Sequence, residues 1–215
     1  MYLDMFSFII LAVLALPVST GFFYTVNYCL HRHAELMLEE EGIENPHINL
    51  GKPILWCTVF VVMLVAYLKA TSIANFTVNT LFLLGLLLVT YIDIKYQYIF
   101  DEVLLAMAAL AIIATPYIQD SWTDRLLGVF AGGLVMLLVA LLSRGMLGGG
   151  DIKMVAMFGL WHGLAGLQAC VFIGFVSAAV FAILAILTKQ KKMSDSMAFG
   201  PYLALGAFVH WLSLY

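Results

Sequence analysis

The chain has 215 residues, 64% of them hydrophobic and only 11% charged, a composition that excludes an ordinary soluble domain. Its formal charge of −3 says little about partners, because in such a chain the distribution of Lys and Arg among the loops carries the information; no nucleic-acid partner is expected. Cys29, Cys57 and Cys170 lie far apart with no C-x-x-C pair, which excludes a zinc ribbon and a disulfide framework.

In chain order the apolar runs predict eight membrane spans in one integral domain, residues 1–215, an all-α polytopic bundle in the lipid bilayer. The first runs from Met5 to Leu30; it lacks a basic leading region and continues through Pro17, so it is expected to be retained rather than cleaved as a signal peptide. The polar stretch 31–52 follows, the only sizeable extramembrane segment. It has room for a short helix from Ala34 to Glu41 and none for a core of its own. The second span is expected from Pro53 to Ala70, with a turn at Asn75–Asn79, and the third from Thr80 to Tyr96 with Asp93 near its end. The fourth begins after Asp101–Glu102 and stops near Thr115–Pro116, and a polar hairpin follows over Gln119–Arg125. The fifth covers Leu126–Leu142. Beyond a glycine-rich stretch the sixth, Ile152–Leu164, reaches only about 20 Å at ~1.5 Å per residue, short of the ~30 Å hydrocarbon core. Leu167–Leu187 and Met197–Leu214 complete the set.

This zigzag places Arg32, Lys52, Lys95, Arg144, Lys153, Lys189, Lys191 and Lys192 on one face and only Lys69 and Arg125 on the other. By the positive-inside rule the first face is cytoplasmic. Asp93, Asp101 and Asp151 then lie together at the cytoplasmic boundary, and the 31–52 segment is a short cytoplasmic loop.

Three short segments carry the chemistry. Asp151 follows Gly148, Gly149 and Gly150, whose missing side chains let another backbone approach an acid that is costly to place near hydrocarbon. Asp93 is expected at the same depth on another helix. Two carboxyls sharing one site do not both ionise cheaply, which leaves one as an acid to polarise a carbonyl and the other as a base to activate water. The competing structural reading has each aspartate capping a helix or pairing with Lys95 or Lys153.

The run Leu147-Gly-Gly-Gly-Asp-Ile-Lys-Met154 resembles the G-x-G-D-x-K signature of type IV prepilin peptidases, with Gly148, Gly150, Asp151 and Lys153 at its fixed positions. Ile92–Asp101 is similar to the family's second segment, with Asp93 as the first acid, Asp101 in a positioning place, and Phe100 where a proline is usual. Phe199-Gly200-Pro201-Tyr-Leu-Ala matches a third motif opening the last span. The resemblance implies an intramembrane aspartic endopeptidase of the inner membrane that removes the short basic leader of type IV prepilin or pseudopilin precursors after a glycine at the cytoplasmic boundary. Asp93 and Asp151 are then catalytic, and Glu39, Glu40 and Glu41 are placed to attract the leader. Larger members have a cytoplasmic loop with paired cysteines that binds zinc, and many methylate the new N-terminus. This chain has neither those pairs nor the room, so methyl transfer, a cofactor and a metal are not expected; Cys29, His31, His33 and His47 make a poor substitute site.

His162 and His210 read as interfacial residues beside Trp161 and Trp211, and Gly132–Gly133, Gly159, Gly163 and Gly166 as points of close helix approach. A small transporter using paired acids as a proton relay and a non-catalytic subunit of a pilus or secretion assembly are the competing functions. The oligomeric state is left open.

Overall fold

The computed structural model describes residues 5–33, 52–118, 120–143, 147–189 and 197–214. Glu39, Glu40 and Glu41, the expected helix over 34–41, and Arg144, Lys191 and Lys192 lie outside them. Among the described residues there are seven α-helices and no strand: α1 Met5–Arg32, α2 Lys52–Lys69, α3 Ile73–Tyr96, α4 Asp101–Ile113, α5 Trp122–Leu142, α6 Gly149–Leu187 and α7 Gly200–Ser213, with a 3-10 turn at Thr115–Tyr117. Four helices hold stretches long and apolar enough to cross a bilayer, Ile9–Arg32, Ile73–Tyr96, Trp122–Leu142 and Gly149–Leu187, and Pro53–Lys69 is a shorter apolar helix. The protein is an all-α, multi-pass membrane protein. Its contacts divide it into two compact units, Met1–Leu84 and Gly85–Tyr215.

In the first unit α1 packs against α2. Leu11, Ala15, Ser19, Phe22, Val26 and Leu30 recur every three or four residues on one buried stripe of α1, as do Leu55, Val59, Met63 and Ala66 on α2, the spacing of one helical face. Trp56 Nε1 ties the two helices by donating to the Ala12 carbonyl at 3.3 Å. The turn expected at Asn75–Asn79 is instead the opening of α3. Ser72 Oγ accepts from Asn75 N at 3.1 Å, as an N-cap does, and Asn79 Nδ2 donates to Asn75 Oδ1 at 3.1 Å. The polar side chains satisfy the helix start and one another, so they do not break it.

The second unit holds α4 to α7 and the last turns of α3. Here the polar hairpin expected at Gln119–Arg125 is largely the start of α5: Ser121 is its N-cap, accepting from Asp124 N at 3.2 Å. Arg125 is fully buried. Its guanidinium donates to the carbonyls of Leu160 and Ala111, both at 2.7 Å, and to Thr115 Oγ1 at 3.0 Å, and lies 4.3 Å over the Trp122 ring. One planar fork therefore joins α4, α5 and α6. Arg125→Met is expected to cost at least about 2 kcal/mol, since each hydrogen bond to a charged group is worth roughly 1.5–3. A melting midpoint in detergent equal to that of the unsubstituted protein would contradict this role.

The expected sixth and seventh spans are the two arms of α6, 149–162 and 164–187. Between them Gly163 has φ 61° and ψ −175°, a conformation open to glycine. The chain doubles back there: a Cβ on Gly132 would meet Val155 Cγ1 at 3.2 Å and Leu167 Cδ2 at 2.6 Å, two residues that would lie about 18 Å apart along a straight helix. The returning arm then runs antiparallel to α7, with Gly166 against His210, Cys170 against Gly206 and Gly174 against Leu203. Close packing at Gly132, Gly159 and Gly166 agrees with the sequence reading; Gly133 makes only ordinary contact, 3.6 Å to Ala156.

Candidate active site

Three chain reversals bring the motif residues to one end of the second unit. α3 stops just after Asp93, because Gln97 turns into the left-handed region at φ 52° while its N–H still bonds the Asp93 carbonyl at 2.9 Å. Phe100 then enters α4 with φ −74° and ψ 129°. That φ is the one a proline ring would impose, so phenylalanine preserves the backbone path. Its ring is buried and packs 5.2 Å from Tyr98.

Asp151 sits in the first turn of α6, not in a loop before a helix beginning at Ile152 as expected. Gly148 is the N-cap; a side chain there would come within 3.2 Å of Asp151 Oδ2, and one on Gly150 would come within 2.8 Å of Ile99 Cβ. The glycines therefore let the chain that carries one aspartate lie against the turn that follows the other. Asp93 is held from a third direction. Gly200 N–H, at the start of α7, donates to Asp93 Oδ2 at 2.8 Å, and a Cβ on Gly200 would lie 2.8 Å from that same oxygen. Pro201 follows in the first turn, where its missing N–H costs nothing. Phe199 packs edge-on to Phe175 at 4.9 Å. Each carboxylate therefore lies at a helix N-terminus, where the helix dipole favours negative charge.

Both acids are buried, Asp93 at 5% and Asp151 at 8% exposure, and close enough that the charge of Asp93 acts on the Asp151 carboxyl. Asp151 Oδ1 has no hydrogen-bond partner among the described residues. Asp101 and Lys153 are brought to the same end but stand apart from this pair: Lys153 Nζ binds both carboxylate oxygens of Asp101 at 2.8 and 2.6 Å, with both side chains more than half exposed. Of the competing structural pairings, the one between Asp151 and Lys153 is not made, since Lys153 engages Asp101. Glu39, Glu40 and Glu41 lie outside the described residues.

One pairing was not legible in the sequence: His162 and His210 face each other, Nδ1 to Nδ1 at 3.2 Å, with His162 at 2% exposure. The available signal was the spacing of Gly166 and Cys170 at four and eight residues after His162, and of Gly206 four residues before His210.

Residues 80–183 match the model of the type IV leader peptidase family. Over 130 residues the chain is 32% identical to a prepilin leader peptidase/N-methyltransferase of Bacillus subtilis, a stretch covering 59% of this chain and 52% of that protein. The protein of the same name from Stutzerimonas stutzeri is 28% identical over 131 residues, covering 58% of this chain and 45% of its own length. The one from Escherichia coli is 28% identical over 172 residues, 73% of this chain and 76% of its own length. The chain thus spans about half the length of the first two relatives. No solved structure matches.

Proposed function

From the match of residues 80–183 to the type IV leader peptidase family, we propose that the chain is an intramembrane aspartic endopeptidase that removes the short basic leader of a type IV prepilin or pseudopilin. The cut falls after a glycine at the cytoplasmic boundary of the inner membrane. The observation that carries the reading is the burial of two carboxyls from separate helices at one end of an apolar bundle, near enough for the charge of one to act on the other. Neither has a cation as its hydrogen-bonded partner among the described residues, so no neutralising charge offsets the repulsion between them.

The chemistry follows from the unequal surroundings of the two acids. The Gly200 N–H bonded to Asp93 Oδ2 favours the ionised form of Asp93, which acts as base toward an attacking water. Asp151 carries the proton and donates it to the scissile carbonyl oxygen. The tetrahedral intermediate collapses as a proton passes to the leaving amine, releasing the leader with a new carboxylate and the pilin with a new N-terminus. Gly148 leaves room for an extended substrate backbone beside Asp151, and Gly150 lets the start of α6 lie against Ile99. Glu39, Glu40 and Glu41 attract the cationic leader, and the Asp101–Lys153 pair holds the start of α4 beside the start of α6. The whole chain acts as one integral peptidase domain with eight crossings, the two arms of α6 counted separately. Methyl transfer is not part of this function.

Co-expression with a type IV prepilin tests the reading. The precursor is expected to shift to the mature mobility, with an unmethylated N-terminus by mass spectrometry; a precursor left intact by an accumulating enzyme would argue for another activity. A reporter fused after Lys192 is expected to behave as cytoplasmic, and its labelling from outside intact cells would overturn the orientation.

A further inference from the structure

At the end of the second unit remote from the aspartates, the reversal at Gly163 and the last turns of α7 gather a second set of polar side chains. One ring nitrogen each from His162 and His210 and the Sγ of Cys170 all lie within 4.8 Å of one another. Glycines make the space. A Cβ on Gly166 would lie 2.5 Å from His210 Cε1, 2.8 Å from its Nε2 and 2.9 Å from His162 Cβ, and one on Gly206 would overlap the Cys170 carbonyl. His162 and Cys170 are buried, at 2% and 1% exposure, while His210 is half-buried and gives the cluster an opening. The structure thus packs two imidazoles and a thiol against each other across two helices and a hinge.

We propose that His162, Cys170 and His210 form a binding site for a single borderline-soft divalent cation of the zinc class. The donor set decides the class. Imidazole and thiolate suit zinc and disfavour magnesium or calcium, which take oxygen ligands. The geometry also fits: two nitrogens on a tetrahedral zinc ion with bonds of 2.0–2.1 Å stand about 3.3 Å apart, close to the 3.2 Å between the two Nδ1 atoms. The ion takes the place of the proton they share, one ring changing tautomer, and the Cys170 thiol gives its proton to solvent as the metal–sulfur bond forms. Two Zn²⁺ charges against one thiolate leave a single positive charge. Asp120 lies near enough for its charge to act on His210, and Asp124 borders the same turn, its Oδ2 accepting from Leu164 N at 3.0 Å. Binding there ties both arms of α6 to α7, at a distance from the peptidase chemistry and independent of it.

The full chain is purified in detergent, stripped with a chelator, then equilibrated with Zn²⁺ for metal analysis and with Co²⁺ for optical spectra. The expected result is one ion per chain and a Co²⁺ spectrum with a sulfur-to-metal charge-transfer band. Cys170→Ser, close in size, is expected to abolish that band, and His210→Gln, at the half-exposed ligand, to reduce zinc to background; helical circular dichroism and a single elution peak confirm that each variant folds. Wild-type zinc no higher than that of the two variants overturns the site. So does a Co²⁺ complex without the sulfur band, or full stoichiometry in both variants, which would place the ion elsewhere, as at Cys29, His31, His33 and His47.

Discussion

Replacing either Asp93 or Asp151 with asparagine is expected to stop leader removal while leaving the protein in the membrane at its normal level. Loss of a positioned acid or base costs a factor of about 10²–10⁴, and here each carboxyl depends on the other for its protonation state. Asparagine is the informative choice because the local structure survives it. At position 93 the amide oxygen can still accept the Gly200 N–H that now bonds to Oδ2 at 2.8 Å. At position 151 the backbone N–H keeps its bond to the Gly148 carbonyl at 3.1 Å, and the helix start is undisturbed. Cleavage lost together with accumulation would point to folding; cleavage lost alone points to chemistry.

The second large effect concerns packing. Gly159→Leu is expected to prevent stable folding, because a side chain at Gly159 would overlap the backbone of Gly128 and Val129, and a Cβ on Gly128 would in turn meet the Gly159 carbonyl oxygen at 2.9 Å. Two backbones in direct contact have no flexible side chain to move aside, so the helices must separate and give up the close packing on which membrane helix association rests. The cost should exceed the roughly 1–3 kcal/mol typical of overpacked cores. Gly133→Ala is the control: its nearest neighbour is 3.6 Å away, and the substitution should be almost neutral. Accumulation in the membrane and fluorescence-detected elution in detergent distinguish the two, and a Gly159→Leu protein that elutes like the parent would refute the contact.

Much of this architecture is written in short-range pattern. Apolar runs locate the helices, and the positions of Gly148 and Gly200 mark places where a backbone passes close to a carboxylate. The errors share a cause. Asn75, Asn79 and Arg125 read as turn or hairpin residues because polar side chains usually mark water, yet each finds partners inside the structure, Asn75 and Asn79 in each other and Arg125 in carbonyls of α4 and α6. Gly163 allows a reversal so tight that no polar loop announces it. His162 and His210 are separated by 48 residues, and only the antiparallel packing of α6 and α7 makes them neighbours. Local patterns set where helices begin and end; pairings across the bundle depend on which helices meet.

Burial also makes a prediction outside the spans. Asp120 has its carboxyl raised above the ordinary aspartate range, first by burial and then by the neighbouring Asp124 charge. Raised in the folded state, it binds its proton more tightly there than in the unfolded chain, so its contribution to stability is present at pH below the ordinary aspartate value and is lost as pH rises through the folded value. Asp120→Asn removes that dependence and is expected to flatten the pH profile of the melting midpoint in the mildly acid range. An unchanged profile would show that Asp120 does not govern it.

The central claim is that Asp93 and Asp151 act as one proteolytic pair. The most direct measurement is the intact mass of a purified type IV prepilin after incubation in liposomes with equal amounts of the wild-type protein, Asp93→Asn, Asp151→Asn and the double variant. The wild type is predicted to break a single peptide bond after a glycine and all three variants to leave the precursor whole. Either single variant cleaving at the wild-type rate would contradict the pair and with it the mechanism.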